Sequence, residues 1–202
     1  MENRIKYILT DLDGVIRIWD YIKVRKIEQG NNLESGSIHK LFFEPVLLKK
    51  AITGKISDGE WRNEILSKIR TEYPELDTSE ITDSVFNEEY RIDHNVIELY
   101  KKYFPEASLV LTTNATSRLK EDLDRENILS HFDFIYNSSE IGMIKPQKEY
   151  YLRVKEDLNF TFDEVIYIDD SIKNTDAARE SGFISHHYRD IKELEIFLKK
   201  NA

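Results

Sequence analysis

The chain contains no cysteine, few glycines and prolines and no long apolar run, and each of these absences excludes a class of protein. Without cysteine there is no disulfide framework, no thiolate metal site and no cysteine nucleophile. Only 7 Gly and 4 Pro, with 40% apolar residues, exclude collagen-like, low-complexity and disordered chains. The longest apolar run, Val165 to Ile168, is far shorter than the roughly 20 residues that cross a bilayer, and the N-terminus leads into no signal-type apolar stretch. We therefore expect a globular cytoplasmic protein without a membrane partner.

Acidic residues outnumber basic ones. There are 29 Lys and Arg against 38 Asp and Glu, which gives a formal net charge of −9. Such a surface repels phosphate backbones and anionic lipid, so we expect no nucleic-acid partner. A length of 202 residues fits one domain or a core that carries an insertion, and the oligomeric state stays open between monomer and homodimer.

Short strand-like runs alternate with helix-like periods over much of the chain. The predicted strands are rich in β-branched and aromatic residues: 5–10, 108–113, 132–136, 164–168 and 183–187. Helical patterns follow the last four of them: 116–127, 147–158, 172–181 and 190–200. This alternation predicts a Rossmann-like α/β core, in which a parallel sheet carries helices on both faces. Active groups should gather beyond the carboxyl ends of the strands.

The long stretch between the first two predicted strands contains no convincing strand and is too patterned for a loop. Ser57 and Glu60 have the spacing of a capping box, in which each side chain satisfies the other residue's backbone N–H. We therefore predict a small all-helical cap at 17–92, inserted into a core formed by 1–16 and 93–202. The apolar stripe that follows the capping box is Trp61, Ile65, Leu66 and Ile69.

Two further patterns support helices in this insertion. Asp77 and Glu80 repeat the capping device, and Gly54 after Thr53 is a stop signal for a helix over Leu41 to Lys50. The second apolar stripe is Ile81, Val85, Phe86 and Tyr90. After the insertion, a core helix is expected near 94–104, ended by Pro105.

Polar residues follow the first two strands of the predicted core. Asp11 and Asp13, with Gly14 behind them, allow a tight loop whose carboxylates face one point, where Mg²⁺ would offset their repulsion. Thr113 and Asn114 close the next strand ahead of a helix, where a hydroxyl and free N–H groups can seat a phosphate. Taken alone, the first fragment also fits a solvated turn, and Thr116 also fits a simple N-cap.

Two more groups follow later strands. Lys145 precedes Pro146, which suits a first helical position, so the ammonium would lie at the rim of the sheet beside a carboxylate and a phosphate. Asp169 and Asp170 follow a fully apolar strand, where adjacent acids favour a bound cation. A lone lysine is usually solvated and one aspartate can be a cap, but four such groups in order favour a single site.

As an ordered set, these residues resemble the motifs of the haloacid dehalogenase superfamily. The first motif resembles Asp11-Leu12-Asp13-Gly14-Val15, and the second Thr113. Lys145-Pro146 resembles the third, and Asp169-Asp170 with Asn174 the fourth. The resemblance extends from about residue 5 to about residue 187, and the helical insertion is similar to the family's small helical cap class.

The resemblance implies a Mg²⁺-dependent phosphatase that forms an aspartyl-phosphate on Asp11. Asp13 would be the general acid/base, and its carbonyl would reach the metal; Thr113 and Asn114 would hold phosphoryl oxygens. Lys145 would stabilise the phosphoryl charge and Asp11. Asp169 and Asp170 would complete a metal site with the first two aspartates. A cap over the site implies a small phosphorylated metabolite, such as a sugar phosphate, as substrate.

Several alternatives stay open. Family phosphomutases and phosphotransferases resemble this motif set equally well, and a binding protein that no longer catalyses could retain the same residues. Dehalogenase members resemble Asp-x-Tyr in the first motif, so Asp13 disfavours halide displacement. A receiver domain is disfavoured because Lys145 precedes the acidic pair instead of following it. Residues near the insertion boundary are candidates to touch the leaving group, namely Arg17, Trp19, Tyr21 and Lys23. The His186-His187 pair favours a structural role over metal binding.

Overall fold

The structure is a computed structural model that describes residues 4–77, 79, 81–82, 86 and 90–202. Its strands are β1 (Tyr7–Thr10), β2 (Arg17–Trp19), β3 (Tyr90–Ile92), β4 (Ser108–Thr113), β5 (Phe134–Asn137), β6 (Val165–Asp169) and β7 (Ile184–His187). The first helices are α1 (Ile22–Gly30), α2 (Ser37–Phe42), α3 (Pro45–Ile52), α4 (Asp58–Glu72) and α5 (His94–Tyr103). They are followed by α6 (Leu119–Arg125), α7 (Ser138–Ile141), α8 (Lys148–Leu158), α9 (Ile172–Glu180) and α10 (Ile191–Asn201).

Five parallel strands form the main sheet, in the order β5-β4-β1-β6-β7. The three central strands are apolar on both faces, as a sheet covered by helices on both sides requires. Successive residues of β1 show this, because Ile8 packs into one apolar cluster and Leu9 into another. Helices α5, α6 and α10 cover the first face, and α8 and α9 cover the second. The predicted Rossmann-like architecture is confirmed.

The segment between β1 and α5 has an apolar cluster of its own, formed by α1 to α4. Ile65, Leu66 and Ile69 of α4 are buried in it, as their spacing predicts. The capping box at the start of α4 is present, with Ser57 and Glu60 each accepting from the other's backbone N–H. Of the second predicted capping box and stripe, Glu80 and Val85 lie outside the described residues.

Three local expectations in this segment are wrong. The stretch is not free of strands, because β2 and β3 pair antiparallel where the segment leaves and re-enters the core. Tyr90 therefore lies on a strand and not on a helical stripe. The helix expected across Leu41 to Lys50 is broken at Pro45, which starts α3 with Glu44 as its N-cap. Gly54 does follow the end of α3, with a φ of +69°.

Two contacts between the inserted segment and the core lie away from β2 and β3. The first is Gly54, where a Cβ atom would lie 2.1 Å from the backbone oxygen of Ser139 in α7, so only glycine fits. The second is Asp58 at the start of α4, which accepts a hydrogen bond from Thr116 Oγ1 at 2.7 Å and whose N–H donates to Ser117 Oγ at 3.0 Å.

No helix in the described ranges is long and apolar enough to span a membrane.

Candidate active site

Asp11 is the first residue after the central strand β1 and is buried at the carboxyl edge of the sheet. Its Oδ1 accepts a hydrogen bond from the backbone N–H of Leu12 at 2.7 Å, which fixes the side chain. Gly14, with a φ of +80°, closes this loop against the fourth motif, because a Cβ there would lie 2.0 Å from Asp170 Oδ2. The glycine of the first motif thus permits the close approach of the two acidic loops.

Lys145 is the buried cation at the centre of the site. Its Nζ lies 2.9 Å from Asp11 Oδ2 and 2.7 Å from Asp169 Oδ2, and it donates to the carbonyl of Thr112 at 2.8 Å. Burial acts to lower the pKa of Lys145, but the two carboxylates raise it well above its ordinary value. Lys145 is therefore charged and ties the ends of β1 and β6 together.

Asp169, at the end of β6, is surrounded by donors. Besides Lys145, its carboxylate accepts from Tyr167 Oη at 2.5 Å, the N–H of Ser171 at 2.8 Å and Asn174 Nδ2 at 3.0 Å. Burial acts to raise the pKa of Asp169, but the charge of Lys145 and these hydrogen bonds lower it below its ordinary value. Tyr167 is a site residue that the sequence did not indicate, since within an apolar strand it reads as core.

Three carboxylates converge on one point. One carboxylate oxygen from each of Asp11, Asp169 and Asp170 lies within 4.8 Å of the other two. Burial raises the pKa of Asp11 well above its ordinary value, and burial together with the charge of Asp169 raises the pKa of Asp170. Three carboxylate groups share a single ammonium group as counter-charge, and hard oxygen donors of this kind fit a divalent cation such as Mg²⁺. The cation would offset the cost of burying the carboxylates and the repulsion among them.

Asp13 does not join this cluster through its side chain. Its carboxylate accepts from Arg17 Nε at 2.6 Å and Nη2 at 2.9 Å, and from Trp19 Nε1 at 2.6 Å. Arg17 is buried, stacks over Trp19 with its guanidinium 4.8 Å from the ring centre, and lies 3.7 Å from Asp122 Oδ2. Burial acts to lower the pKa of Arg17, but Asp13 and Asp122 raise it. Two of the boundary residues singled out in the sequence thus hold the second aspartate of the first motif.

The end of β4 differs from the expectation. Thr113 is buried at the strand end, and the Asn114 side chain is paired with the backbone of Lys145, accepting from its N–H and donating to its carbonyl at 2.9 Å each. The amide therefore positions the lysine. Helix α6 begins only at Leu119, so Thr116 is not an N-cap and instead donates to Asp58.

The third motif and the histidine pair complete the region. Pro146 is not the first helical residue, because α8 begins at Lys148; the Lys145-Pro146 peptide bond is cis. His186 stacks on Phe197 with ring centres 4.7 Å apart, and His187 Nε2 lies 2.9 Å from the carbonyl of Asp170. Both histidines have structural contacts, and neither belongs to the carboxylate cluster.

A cavity of about 430 Å³ lies between the inserted segment and the core. Asp13 and Asn114 line it next to the site, and residues of α2, α3 and α4 line it elsewhere. Lys23, the remaining boundary candidate, is not among its lining residues, whereas Tyr21 is.

Solved structures share this architecture over nearly the whole chain. A haloacid dehalogenase family enzyme from Bacteroides thetaiotaomicron, solved in complex with magnesium and inorganic phosphate, is 25% identical with a TM-score of 0.71, covering 94% of this chain and 98% of that one. L-2-haloacid dehalogenase from Xanthobacter autotrophicus is 17% identical with a TM-score of 0.63, covering 90% of this chain and 76% of that one. At 17% identity, the comparison with the dehalogenase supports a shared fold and nothing further.

Sequence comparison agrees with the fold. Bifunctional epoxide hydrolase 2 of Rattus norvegicus is 33% identical over 96 residues, which amounts to 42% of this chain and 17% of that protein. The chain thus spans less than a fifth of the length of the curated relatives it matches. The model of the haloacid dehalogenase-like hydrolases matches residues 56–185, more than half of the chain. The protein therefore belongs to the haloacid dehalogenase-like hydrolase family.

Proposed function

We propose that this hydrolase is a Mg²⁺-dependent phosphatase that cleaves a small phosphate monoester through an aspartyl-phosphate on Asp11. The observation that carries the proposal is the buried group of Asp11, Asp169 and Lys145, with Asp170 beside it. It combines a fixed carboxylate, a phosphate-binding ammonium and a set of metal ligands at one sheet edge. The structural neighbour in complex with magnesium and inorganic phosphate supports the same reading.

Asp11 is the proposed nucleophile. The N–H of Leu12 and the ammonium of Lys145 each hold one of its oxygens, so the carboxylate is oriented before substrate arrives. One oxygen attacks phosphorus, the bond from phosphorus to the leaving oxygen breaks, and water then attacks the aspartyl-phosphate to release phosphate. Lys145 stabilises the added negative charge, and Thr113 and the N–H of Asn114 hold phosphoryl oxygens.

Asp11, Asp169 and Asp170 would hold Mg²⁺, with the Asp13 carbonyl as a further ligand. When bound, the ion neutralises the carboxylate and phosphoryl oxygens that otherwise repel each other. The carboxylate of Asp170 lies against Gly14, and the carboxylate of Asp169 accepts hydrogen bonds from four donors. The proposed metal ligands are therefore held in position without a bound ion. These acids and Asp13 also argue against halide displacement, which needs neither a metal nor a proton donor.

Asp13 is the proposed general acid and base. It would protonate the leaving oxygen and then take a proton from the attacking water. Its carboxylate accepts three hydrogen bonds from Arg17 and Trp19, so these two side chains fix its orientation. Because Arg17 and Trp19 form β2, at the base of the inserted segment, movement of that strand would change the contacts of Asp13.

We propose that residues 17–92 act as a cap over this site. Their separate apolar cluster and the contacts of Gly54 and Asp58 with the core support this role. A cap that closes excludes bulk water from the aspartyl-phosphate and limits the substrate to small molecules.

The test is phosphate release from a panel of small monoesters, with Mg²⁺ and with a chelator, by the wild type and Asp11→Asn. Asp124→Asn, on the exposed side of α6, is the matched control. We expect metal-dependent release by the wild type and the control and none by Asp11→Asn. Release by Asp11→Asn at the wild-type rate would refute the nucleophile, and release only in the presence of an added alcohol acceptor would indicate a phosphotransferase.

A further inference from the structure

The cavity beside Asp13 has an aromatic and aliphatic wall. Phe42, Trp61 and Phe86 pack edge to face with ring centres 5.5 to 6.4 Å apart, and all three line it. Leu48 and Ile52 of α3 add aliphatic surface, and Phe43 lines it while remaining half exposed. A surface of this kind gains free energy by covering apolar groups, not hydroxyls.

The charged side chains in the same wall are already paired. Arg17 binds Asp13 and approaches Asp122, which also accepts from Arg118 at 3.0 Å. Arg62 forms an ion pair with Asp58, which also accepts from Thr116. The cavity therefore presents no unpaired charge among these groups to bind a carboxylate or a second phosphate.

The uncharged polar groups are mostly engaged as well. The Asn114 amide is bound to the backbone of Lys145, and Trp19 Nε1 donates to Asp13. The His39 ring contacts Phe43. Among the described lining residues, Trp61 Nε1 is a buried donor without an acceptor. A sugar would bury several hydroxyls here and leave most of them unsatisfied, at a cost for each one.

We infer that the leaving group is an uncharged, predominantly apolar alcohol, so the substrate is the phosphate monoester of a short alkyl or aryl alcohol and not a sugar phosphate. The inference rests on the proposed phosphatase activity for its kinetic test and on the cavity alone for its binding test. The phosphate would lie at Lys145 and the apolar group against Phe42, Phe43 and Trp61.

The kinetic test compares ethyl, butyl and hexyl phosphate with glycerol 3-phosphate and sugar 6-phosphates, whose leaving groups are all alkoxides. We expect kcat/KM to rise by about fourfold per methylene until the cavity is filled, which corresponds to burial of each CH₂ group. The polyol esters should react more slowly than butyl phosphate. Faster turnover of sugar phosphates than of every alkyl ester would overturn the inference and leave the phosphatase proposal intact.

Two phenylalanines of similar exposure provide matched variants. Phe43→Ala removes a ring from the cavity wall, whereas Phe134→Ala removes one from β5, outside it. Phe43→Ala should lower kcat/KM for hexyl phosphate about fivefold and reduce the dependence on chain length, while Phe134→Ala retains it. An unchanged chain-length dependence in Phe43→Ala would contradict this placement of the apolar group.

Binding can be measured without turnover because both tryptophans of the chain, Trp19 and Trp61, line the cavity. Hexylphosphonate, which cannot be hydrolysed, should change tryptophan fluorescence at a lower concentration than ethylphosphonate, in the wild type and in Asp11→Asn alike. This result without hydrolysis of any ester would support the cavity inference and refute the phosphatase proposal. Equal concentrations for the two phosphonates would refute the cavity inference.

Discussion

At the scale of single residues, one ammonium holds together two strand ends that would otherwise repel each other. Lys145 lies between Asp11 and Asp169, and all three side chains are buried. Burying three charged side chains has a large desolvation cost, and the arrangement is stable only while each charge has a partner of opposite sign. The ion pair with Lys145 fixes the side chain of Asp11, the proposed nucleophile, and the site is sensitive to the loss of either sign of charge.

Lys145→Ala should therefore affect both activity and stability. We expect kcat/KM to fall by roughly 10²–10³, as for loss of a group that stabilises developing negative charge. In the absence of Mg²⁺ the free energy of unfolding should fall by about 3 kcal/mol, because two buried carboxylates lose their partner. Kinetics and denaturant unfolding measure the two effects, with exposed Lys148→Ala as control. Wild-type kinetics in Lys145→Ala would mean that phosphate binds elsewhere.

Arg17 positions Asp13, and replacing it with lysine tests that role. Lysine keeps the positive charge but cannot make the two-point contact that Arg17 Nε and Nη2 make with the carboxylate. If Asp13 is the general acid, Arg17→Lys should lower kcat about tenfold for an alkyl phosphate and much less for p-nitrophenyl phosphate, whose leaving group needs no proton. Equal losses for both esters would indicate a merely structural contact.

The sequence predicts the charged centre of the site but not the contacts around it. Asp11 and Asp169 follow adjacent apolar strands of a parallel sheet, so their meeting at one edge follows from topology, and Lys145 lies in the loop after β5 and α7. The pairing of Asp13 with Arg17 depends on where β2 leaves the core, and local sequence does not encode that path. Tyr167 lies two residues before Asp169 on the same face of β6, but a tyrosine within an apolar strand has the pattern of a core residue, so its hydrogen bond to Asp169 is not predicted.

At the scale of elements, helix α4 connects the inserted segment to the core. Its first turn is fixed by the capping box of Ser57 and Glu60, and Asp58 next to it binds Thr116 beyond β4. The start of α4 is therefore one of the places where the insertion contacts the core, and replacing its N-cap residue should weaken that contact.

Ser57→Ala removes the side chain that accepts from Glu60 N–H at 3.2 Å. We expect a loss of about 1 kcal/mol in the free energy of unfolding, as for other N-cap replacements, and a fall in Tm of roughly 2–4 °C. Thermal unfolding followed by circular dichroism measures it. Ser67→Ala, on the exposed middle of the same helix, is the matched control and should not lower Tm. Equal effects of the two substitutions would show that the N-cap hydrogen bond of Ser57 adds no stability.

Element prediction succeeds where the apolar period is long and fails at short or interrupted pieces. The three central strands follow from runs of residues buried on both faces of the sheet, and the edge strands β5 and β7 follow from short aromatic and β-branched runs. Strands β2 and β3 have three residues each, too few to show a period, and they are stabilised by pairing with each other. The break between α2 and α3 occurs at Pro45, because proline cannot continue a helix. The apolar residues on both sides of Pro45 have the spacing of one continuous helix, so the break is not predicted.

At the scale of the whole molecule, ion binding and folding should be coupled. Burial raises the pKa of Asp11, and partial burial beside the charge of Asp169 raises the pKa of the more exposed Asp170, so a bound cation would stabilise the folded state. With Mg²⁺ at about 100 times its Kd, the stabilisation is about 2.7 kcal/mol. For a chain of this length, that corresponds to a rise in Tm of roughly 5–10 °C.

Asp170→Asn distinguishes this effect from general salt stabilisation. Removing one of three crowded acids should leave the Mg²⁺-free protein at least as stable as the wild type and reduce the rise in Tm that Mg²⁺ produces. Exposed Asp176→Asn should retain the full rise. Thermal unfolding with increasing Mg²⁺ at constant ionic strength measures both, and an undiminished rise in Asp170→Asn would exclude that carboxylate as a ligand.

An aspartyl-phosphate on Asp11 can be detected directly by mass spectrometry of the protein quenched in acid during turnover of a phosphate monoester. The peptide containing Asp11 should carry one added phosphoryl group when Mg²⁺ is present. The same peptide should be unmodified after chelation and in Asp11→Asn. Turnover with an unmodified Asp11 peptide, or with the phosphoryl group on another residue, would contradict an aspartyl-phosphate at this position.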